Sequence, residues 1–356
     1  MAEELGSPRQ FKALKGWRLL IPFVLGLGVV VYLFWEEFNY EDFQNVSLVK
    51  YGFLWLFCAL LMMFLRDLGY VIRLRIISSS QLTWRQCIRI IFLWEFTSAV
   101  TPSAIGGTTF AVIYIYKEKI SLGKSSAIVM LTSFLDEFYF LIMFPIIVLS
   151  VNFSDLFQIA QVSNDSAWGD SLMFFAIAGY SVKVLFAGLV FYGLFINPYG
   201  VKQLLFRLSY ISFLRKRRRK MVSIGADIML ASIEYKDKSW KFWLKTFLTT
   251  FLSWTSRYWV VNFLFAMFFF VSFSEHFMIF ARQLAMWIMM IVLPSPGGSG
   301  FSEVIFSQYL GEFIPYAFLV PVLAFLWRGV TYYPYLVIGI FLLPAWVKAK
   351  FGRKKQ

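Results

Sequence analysis

The chain has 356 residues, of which 59% are hydrophobic and 15% charged, a balance far from that of an ordinary soluble domain. Its net charge of +14 is carried by Lys and Arg clustered between apolar runs, as topology determinants are, which argues against nucleic acid and for anionic headgroups. Several apolar runs reach the roughly 20 residues needed to cross about 30 Å of hydrocarbon. A soluble fold and an outer-membrane barrel are thereby excluded, and the expected class is an all-α polytopic membrane protein.

Residues 1–16 carry Arg9, Lys12 and Lys15, so the positive-inside rule puts the N-terminus in the cytoplasm. A first span over 17–35 lacks a small-residue cleavage pattern and reads as retained rather than as a signal peptide. The acidic loop 36–42 belongs outside, and a second span over 48–65 runs into a basic stretch over 66–75. Arg66, Arg73 and Arg75, with Arg89 further on, are expected at the inner headgroup layer, where long cationic side chains snorkel.

The run over 90–100 then meets Pro102 and the pair Gly106-Gly107. Proline removes a donor and glycine permits positive φ, so a continuous helix is not expected here. Broken backbone at membrane depth occurs only where protein or water covers it. A second copy of this pattern interrupts the apolar segment 278–310, where Pro294 and Pro296 precede Gly297-Gly298. Aligning the two glycine pairs matches Thr108 with Ser299 and Phe110 with Phe301. Interrupted segments in corresponding positions of two halves point to a midplane site between repeats.

Between these motifs lie spans over 127–151 and 172–196, separated by an outer loop without Lys or Arg over 152–170. A polar connector over 197–245 contains the cluster 215–220, which serves either topology or contact with anionic lipid or a partner. A span over 247–273 precedes the second broken element, and apolar runs over 313–330 and 335–347 lead to a basic tail. If the second element re-enters on one face, the tail is left outside against its charge. Either that element makes a net crossing or the last two runs do not both span. The expected architecture is about eight membrane helices plus two broken or re-entrant pairs in an inverted pseudo-repeat. The expected segments are 1–47 (N-terminal segment, first span and outer loop), 48–196 (first half), 197–245 (connector), 246–347 (second half) and 348–356 (tail).

Ionisable residues inside a membrane are costly and read as functional. Asp136, Glu137, Arg257, Glu303 and Arg328 fall at such depth. Arginine binds phosphate in bidentate fashion, and half-helix N-termini at Gly106-Gly107 and Gly297-Gly298 add N–H donors, so these groups together suit a lipid phosphate. The alternative is structural pairing of Arg257 and Arg328 with Asp136, Glu137 or Glu303. The lone His276, the absence of metal-ligand spacing and the lack of a phosphate loop or nucleophile elbow give no reason to expect an enzyme or a cofactor.

The stretch 294–303 with its terminal Glu303, the earlier Pro102 and Gly106-Gly107 followed by a basic loop and a span carrying Asp136, and the Arg-rich end of the second span resemble the lysylphosphatidylglycerol synthase transmembrane-region family. That family includes the flippase half of the multiple-peptide-resistance proteins. The resemblance covers roughly 48–347 and implies a bacterial or archaeal cytoplasmic-membrane protein that moves a lipid between leaflets. The expected location is the inner membrane of a bacterium. Many members have a Glu-Arg pair where this chain has Thr132-Ser133, and an acidic residue near Thr108-Thr109, so a different headgroup is implied. The soluble aminoacyl-transferase half of larger members has no counterpart here, so synthase activity is not implied and a separate lipid-modifying enzyme is a possible partner. The leading expectation is a translocator of an anionic or modified phospholipid or a glycolipid. A membrane-embedded transferase using Asp136 with Glu137, and a scaffold recruiting partners through 215–220, are the alternatives.

Overall fold

The computed structural model describes residues 21–38, 40–45, 48–101, 104–156, 166–210, 218–289 and 300–351, and among them there is helix but no strand. Pro102, Pro294, Pro296, Gly297 and Gly298 lie outside the described residues. Helix α1 (Ile21–Glu37) and the short α2 (Tyr40–Asn45) precede α3 (Gly52–Ile77), α4 (Trp84–Val100), α5 (Ala104–Tyr116) and α6 (Leu122–Ser150). After α7 (Phe153–Leu156), α8 (Ser166–Phe191) ends in a π-turn over Tyr192–Ile196. The connector is itself helical, with α9 (Pro198–Leu208) and α10 (Arg218–Tyr235) ahead of α11 (Trp240–Ala266). The chain closes with α12 (Phe273–Met289), α13 (Phe301–Leu310), α14 (Leu319–Thr331) and α15 (Tyr333–Phe351).

Four stretches are long and apolar enough to cross a membrane: Gly52–Ile77, Leu122–Ser150, Met173–Ile196 and Leu319–Phe351. The last joins the two terminal runs, because α14 and α15 are separated only by Tyr332. The basic stretch 66–75 does not leave the second span but continues it, since Leu, Val and Ile alternate with the arginines and keep α3 helical to Ile77.

Against the expectation of a break at the glycines, Gly106 and Gly107 lie inside α5, because a glycine can also adopt helical φ and ψ; the second pair lies outside the described residues, in the stretch of sequence between α12 and α13. The helix pairs α4–α5 and α12–α13 both begin with a 17-residue helix, and both follow a long one, α3 with 26 residues and α11 with 27. Local chemistry fixes these ends. Thr83 and Gln86 form a reciprocal capping box at the start of α4. Gly106 and Gly107 fall in the first turn and a half of α5, and Gly300, with φ +83, caps α13. Few L residues adopt that φ, which explains a glycine immediately before the second half-helix.

Two apolar clusters form the core. One gathers α4, α5 and α6 with α10 and α15, around Phe96, Ile128 and Trp346; the other gathers α11, α12, α13 and α14, around Phe265, Leu284, Phe306 and Leu323. Helix α15 packs chiefly with the first cluster, through Leu336, Leu343 and Trp346, while Tyr335 reaches the second. At one end of these helices Glu118, between α5 and α6, accepts from Gln86 and pairs with Arg89 of α4 (2.8 Å) and Lys350 of α15 (2.7 Å).

The long helices α3 and α11 cross at Gly69. A methyl group there would collide with Ser253 Oγ and come within 2.8 Å of the Thr249 carbonyl oxygen. Gly69→Ala should therefore destabilise the fold by about 1–3 kcal/mol, read as a lowered Tm in detergent; an unchanged Tm would contradict this crossing.

Burial alone would raise the Glu118 carboxyl, but hydrogen bonds from Lys350 and Gln86 and the charge of Arg89 outweigh it and hold it below the ordinary range. A depressed folded value means that the stabilisation is present above about pH 4.3, the unfolded value, and is lost as pH falls through the folded one. The Tm difference between wild type and Glu118→Gln should be full above about pH 5 and vanish in stronger acid; a pH-independent difference would refute the assignment.

Candidate functional site

Sequence places Arg66, Asp67, Tyr70 and Arg73 along one stretch of α3, so the helix carries two guanidinium groups into the protein interior about two turns apart. Their side chains keep only 1% and 4% exposure. A buried cation survives only if paired and hydrogen-bonded, and both are. Arg66 contacts Asp67 (2.8 Å), Glu95 of α4 (2.6 Å) and the Tyr335 hydroxyl of α15 (2.7 Å). Arg73 reaches Asp136 of α6 with both terminal nitrogens (2.5 and 3.3 Å) and donates to Thr250 of α11 (2.9 Å). Trp254 Nε1 donates to the same Asp136 oxygen at 2.8 Å. The Tyr70 ring lies between the two guanidiniums, 4.8 Å from one and 4.9 Å from the other. Five helices from both halves thus meet around Tyr70.

The snorkelling expected of Arg66 and Arg73 is not what these residues do, because carboxylates on α3, α4 and α6 offer partners inside the protein. Arg75 and Arg89 do sit at an end. Arg75 donates to the Leu82 carbonyl (2.5 Å) and stacks on Trp84, and Arg89 pairs with Glu118.

The asymmetry of these pairs decides what the site presents. Asp67, Glu95 and Asp136 keep 19%, 25% and 24% side-chain exposure while the arginines behind them are closed off. Glu137 repeats the pattern, with 21% exposure against 3% for its partner Lys183 of α8 at 2.6 Å. What is open at each of these pairs is carboxylate, which the excess of arginine in the sequence conceals. Asp136 and Glu137, adjacent in sequence, serve different cations and do not form an acid–base pair.

Arg257 of α11 differs. It is half-buried, its guanidinium lies 4.7 Å from the Trp287 ring and 5.6 Å from that of Trp254, and among the described residues no carboxylate approaches within 4.0 Å. Arg257 therefore holds its charge against two indole faces. It is joined to the first network through Trp254, which contacts both Arg257 and Asp136.

Glu303 and Arg328 form a third, enclosed centre. Glu303, in the first turn of α13, has no exposed side-chain surface; its Oε1 lies 2.9 Å from Arg328 Nε of α14, and Ser302 accepts from Arg328 Nη2. Backbone of α1 closes over it, since a Cβ on Gly26 would lie 2.8 Å from Glu303 Oε1. The structural pairing of Arg328 with Glu303 is realised, whereas Arg257 pairs with neither Asp136 nor Glu137.

Sequence reasoning did not single out Lys183, Tyr70, Tyr335, Trp254 or Trp287. Lys183 had a signal, a single charge in an apolar run; the aromatic residues had none among so many others. Arg282, buried on α12, holds the Asp155 and Tyr309 carbonyls and pairs with Glu312 (2.7 Å), which ties α12 to α7 and α13.

Helices of crossing length with charge pairs inside them define a multi-pass α-helical membrane protein. Residues 19–339 match the family described as the lysylphosphatidylglycerol synthase TM region, and the chain belongs to that family. It is also similar to a UPF0104 membrane protein of Archaeoglobus fulgidus, with 25% identity over 317 residues that cover 85% of this chain and 86% of the relative. No solved structure matches the chain.

Removing one member of a buried pair leaves an uncompensated charge, at a cost of about 3–5 kcal/mol. Arg328→Met should lower Tm sharply, and adding Glu303→Gln to it should recover much of the loss. A double variant as unstable as the single one would show that the two side chains do not compensate each other.

Proposed function

We propose that this protein translocates a phospholipid or glycolipid headgroup between leaflets, passing it through the polar region around Tyr70 while the acyl tails remain in lipid. The observation that carries the reading is the presence, around Tyr70, of partly open carboxylates together with Arg257, which among the described residues has no carboxylate partner. Arg257, held between Trp254 and Trp287, suits a lipid phosphate, and Asp67, Glu95 and Asp136 suit a hydroxyl-rich or amine-bearing group attached to it. A headgroup carrying both charges fits this arrangement better than a purely anionic one. Membership of a family described by a lysyl-phospholipid synthase region is consistent with such a substrate.

In this reading the two halves are inverted repeats, α3 to α6 answering α11 to α15, and their rocking alternates access. The enclosed Glu303–Arg328 pair stabilises one closed arrangement and parts, or exchanges a proton, in the other. In this reading the membrane is the inner membrane of a bacterium, and the N-terminus, the α9–α10 connector and the tail face the cytoplasm, which the excess of Lys and Arg in them supports. The protein performs no covalent step, and a separate lipid-modifying enzyme supplies the modified lipid. The transferase reading loses its acid–base pair, because Asp136 is engaged by Arg73 and Glu137 by Lys183.

The test uses purified protein in liposomes with headgroup-labelled phosphatidylethanolamine, phosphatidylglycerol and a glycolipid, followed by dithionite accessibility. Wild type should accelerate exposure of at least one inner-leaflet lipid over empty vesicles. Arg257→Gln should slow it by about tenfold or more, the loss of a charge-assisted contact of about 1.5–3 kcal/mol, with unchanged Tm. Wild-type rates in that variant would remove Arg257 from the pathway, and no acceleration of any lipid would sink the translocator reading.

A further inference from the structure

The connector between the halves carries a surface with no role in the region around Tyr70. Its first helix, α9, is separated from the crossing-length stretch Met173–Ile196 only by Asn197, so it lies at the end of that stretch. Asn197 Oδ1 accepts from Gly200 N at 2.7 Å and Pro198 occupies the first turn, which turns the chain sharply into a new helix. Val201 and Leu205, four residues apart, are buried, and α10 approaches so closely that a Cβ on Gly225 would lie 3.0 Å from Lys202 Cα. The hairpin is anchored from below. Ser232 of α10 donates to the Leu194 carbonyl at 2.6 Å, Lys124 pairs with Glu234 at 2.6 Å, and Tyr235 donates to the Ile77 carbonyl.

The opposite face of α9 is apolar and open. Tyr199 is 65% exposed, and Leu204, Phe206 and Tyr210 are exposed with it. Cations stand among these side chains. Arg218, at the start of α10, donates to the Tyr210 hydroxyl at 2.8 Å with its guanidinium 4.4 Å from that ring and 5.5 Å from Phe206. Lys202 and Arg207 have no carboxylate partner among the described residues. Lys202 also lines a cavity of about 260 Å³ with Tyr199, Gln203, Phe206 and Val222. The sequence 197–226 contains eight Lys and Arg and no Asp or Glu, so nothing in it neutralises this charge.

We propose that the α9–α10 hairpin is a binding surface for anionic phospholipid in the leaflet beside it. The phosphate sits against Lys202 in the cavity, with Arg207 and Arg218 adding charge, while Tyr199, Leu204 and Phe206 enter the boundary between headgroups and acyl chains. Aromatic and aliphatic side chains mixed with cations on a helix that starts at the end of a span fit a membrane surface. A soluble acidic partner would satisfy the cations and leave the apolar residues without a medium. This inference does not rest on the translocation reading and concerns different residues.

Full-length protein in a neutral detergent, titrated with dioctanoyl phosphatidylglycerol or dioctanoyl phosphatidylcholine, tests it through Tm and through the number of lipids retained in native mass spectrometry. Phosphatidylglycerol should raise Tm and remain bound, and phosphatidylcholine should do neither. Lys202→Gln should shift the titration midpoint by about fivefold, and the combined Lys202→Gln, Arg207→Gln and Arg218→Gln variant by well over tenfold. In an Arg257→Gln background Lys202→Gln should still shift the midpoint by about fivefold, which separates this surface from the proposed transport site. Equal responses to the two lipids, or an unchanged midpoint in Lys202→Gln, would overturn the proposal; the single substitution at half-buried Lys202 keeps the test valid if the triple variant does not fold.

Discussion

A guanidinium group cannot be left alone in a medium of low dielectric constant, and the interior of this protein is arranged to meet that demand. Arg66, Arg73, Arg282 and Arg328 are all buried, and each is met by a carboxylate from its own or another helix. The partners come from α3, α4, α6, α13 and the turn after α13, so the ion pairs double as ties between elements. In a membrane, where lipid is as apolar as leucine, such polar contacts and close small-residue crossings are what distinguish one helix arrangement from another. The crossing of α3 and α11 at Gly69 shows both devices together: Ser253 reaches the Arg66 carbonyl at 3.0 Å across the gap that the glycine leaves.

The same demand shapes the polar centre. Because each buried cation is already matched, the groups that remain partly open are the acids, and the balance between Arg257 and its acidic neighbours defines the chemistry available to a ligand. The counting of arginines against acids in the sequence points toward an anion; the pairing reverses much of that, since a charge already compensated attracts little. Trp254 is central for a reason that net charge does not reveal. Its indole N–H is committed to Asp136 while its ring faces Arg257, so it holds a carboxylate and a guanidinium near one another without letting them neutralise each other.

Much of the architecture was legible in the chain. Apolar run lengths disclosed a polytopic helical membrane protein, whereas the glycine pair at 106–107 did not mark a break, since it lies within α5. Boundaries shifted where tertiary contacts decided them. Arg66 and Arg73 looked like interfacial residues because a basic stretch after an apolar run ordinarily is one; only the fold brings Asp136 and Glu95 alongside. Tyr335 and Tyr70 were invisible for the complementary reason, as aromatic residues in a chain that is 21% aromatic carry no positional signal. Glu303 and Arg328 were both flagged at membrane depth, yet which acid takes which arginine depends on helix order and not on spacing.

The contact between α1 and Glu303 brings the start of the chain onto a buried charge pair near its end. Gly26 presents bare backbone to the carboxylate, and the approach is tight enough that nothing fits between them. The first helix, which stands ahead of both glycine-pair regions, is therefore one wall of the Glu303 chamber. The Glu303–Arg328 pair is thus enclosed by an element from the far end of the chain, and a larger residue at position 26 would press on the carboxylate itself.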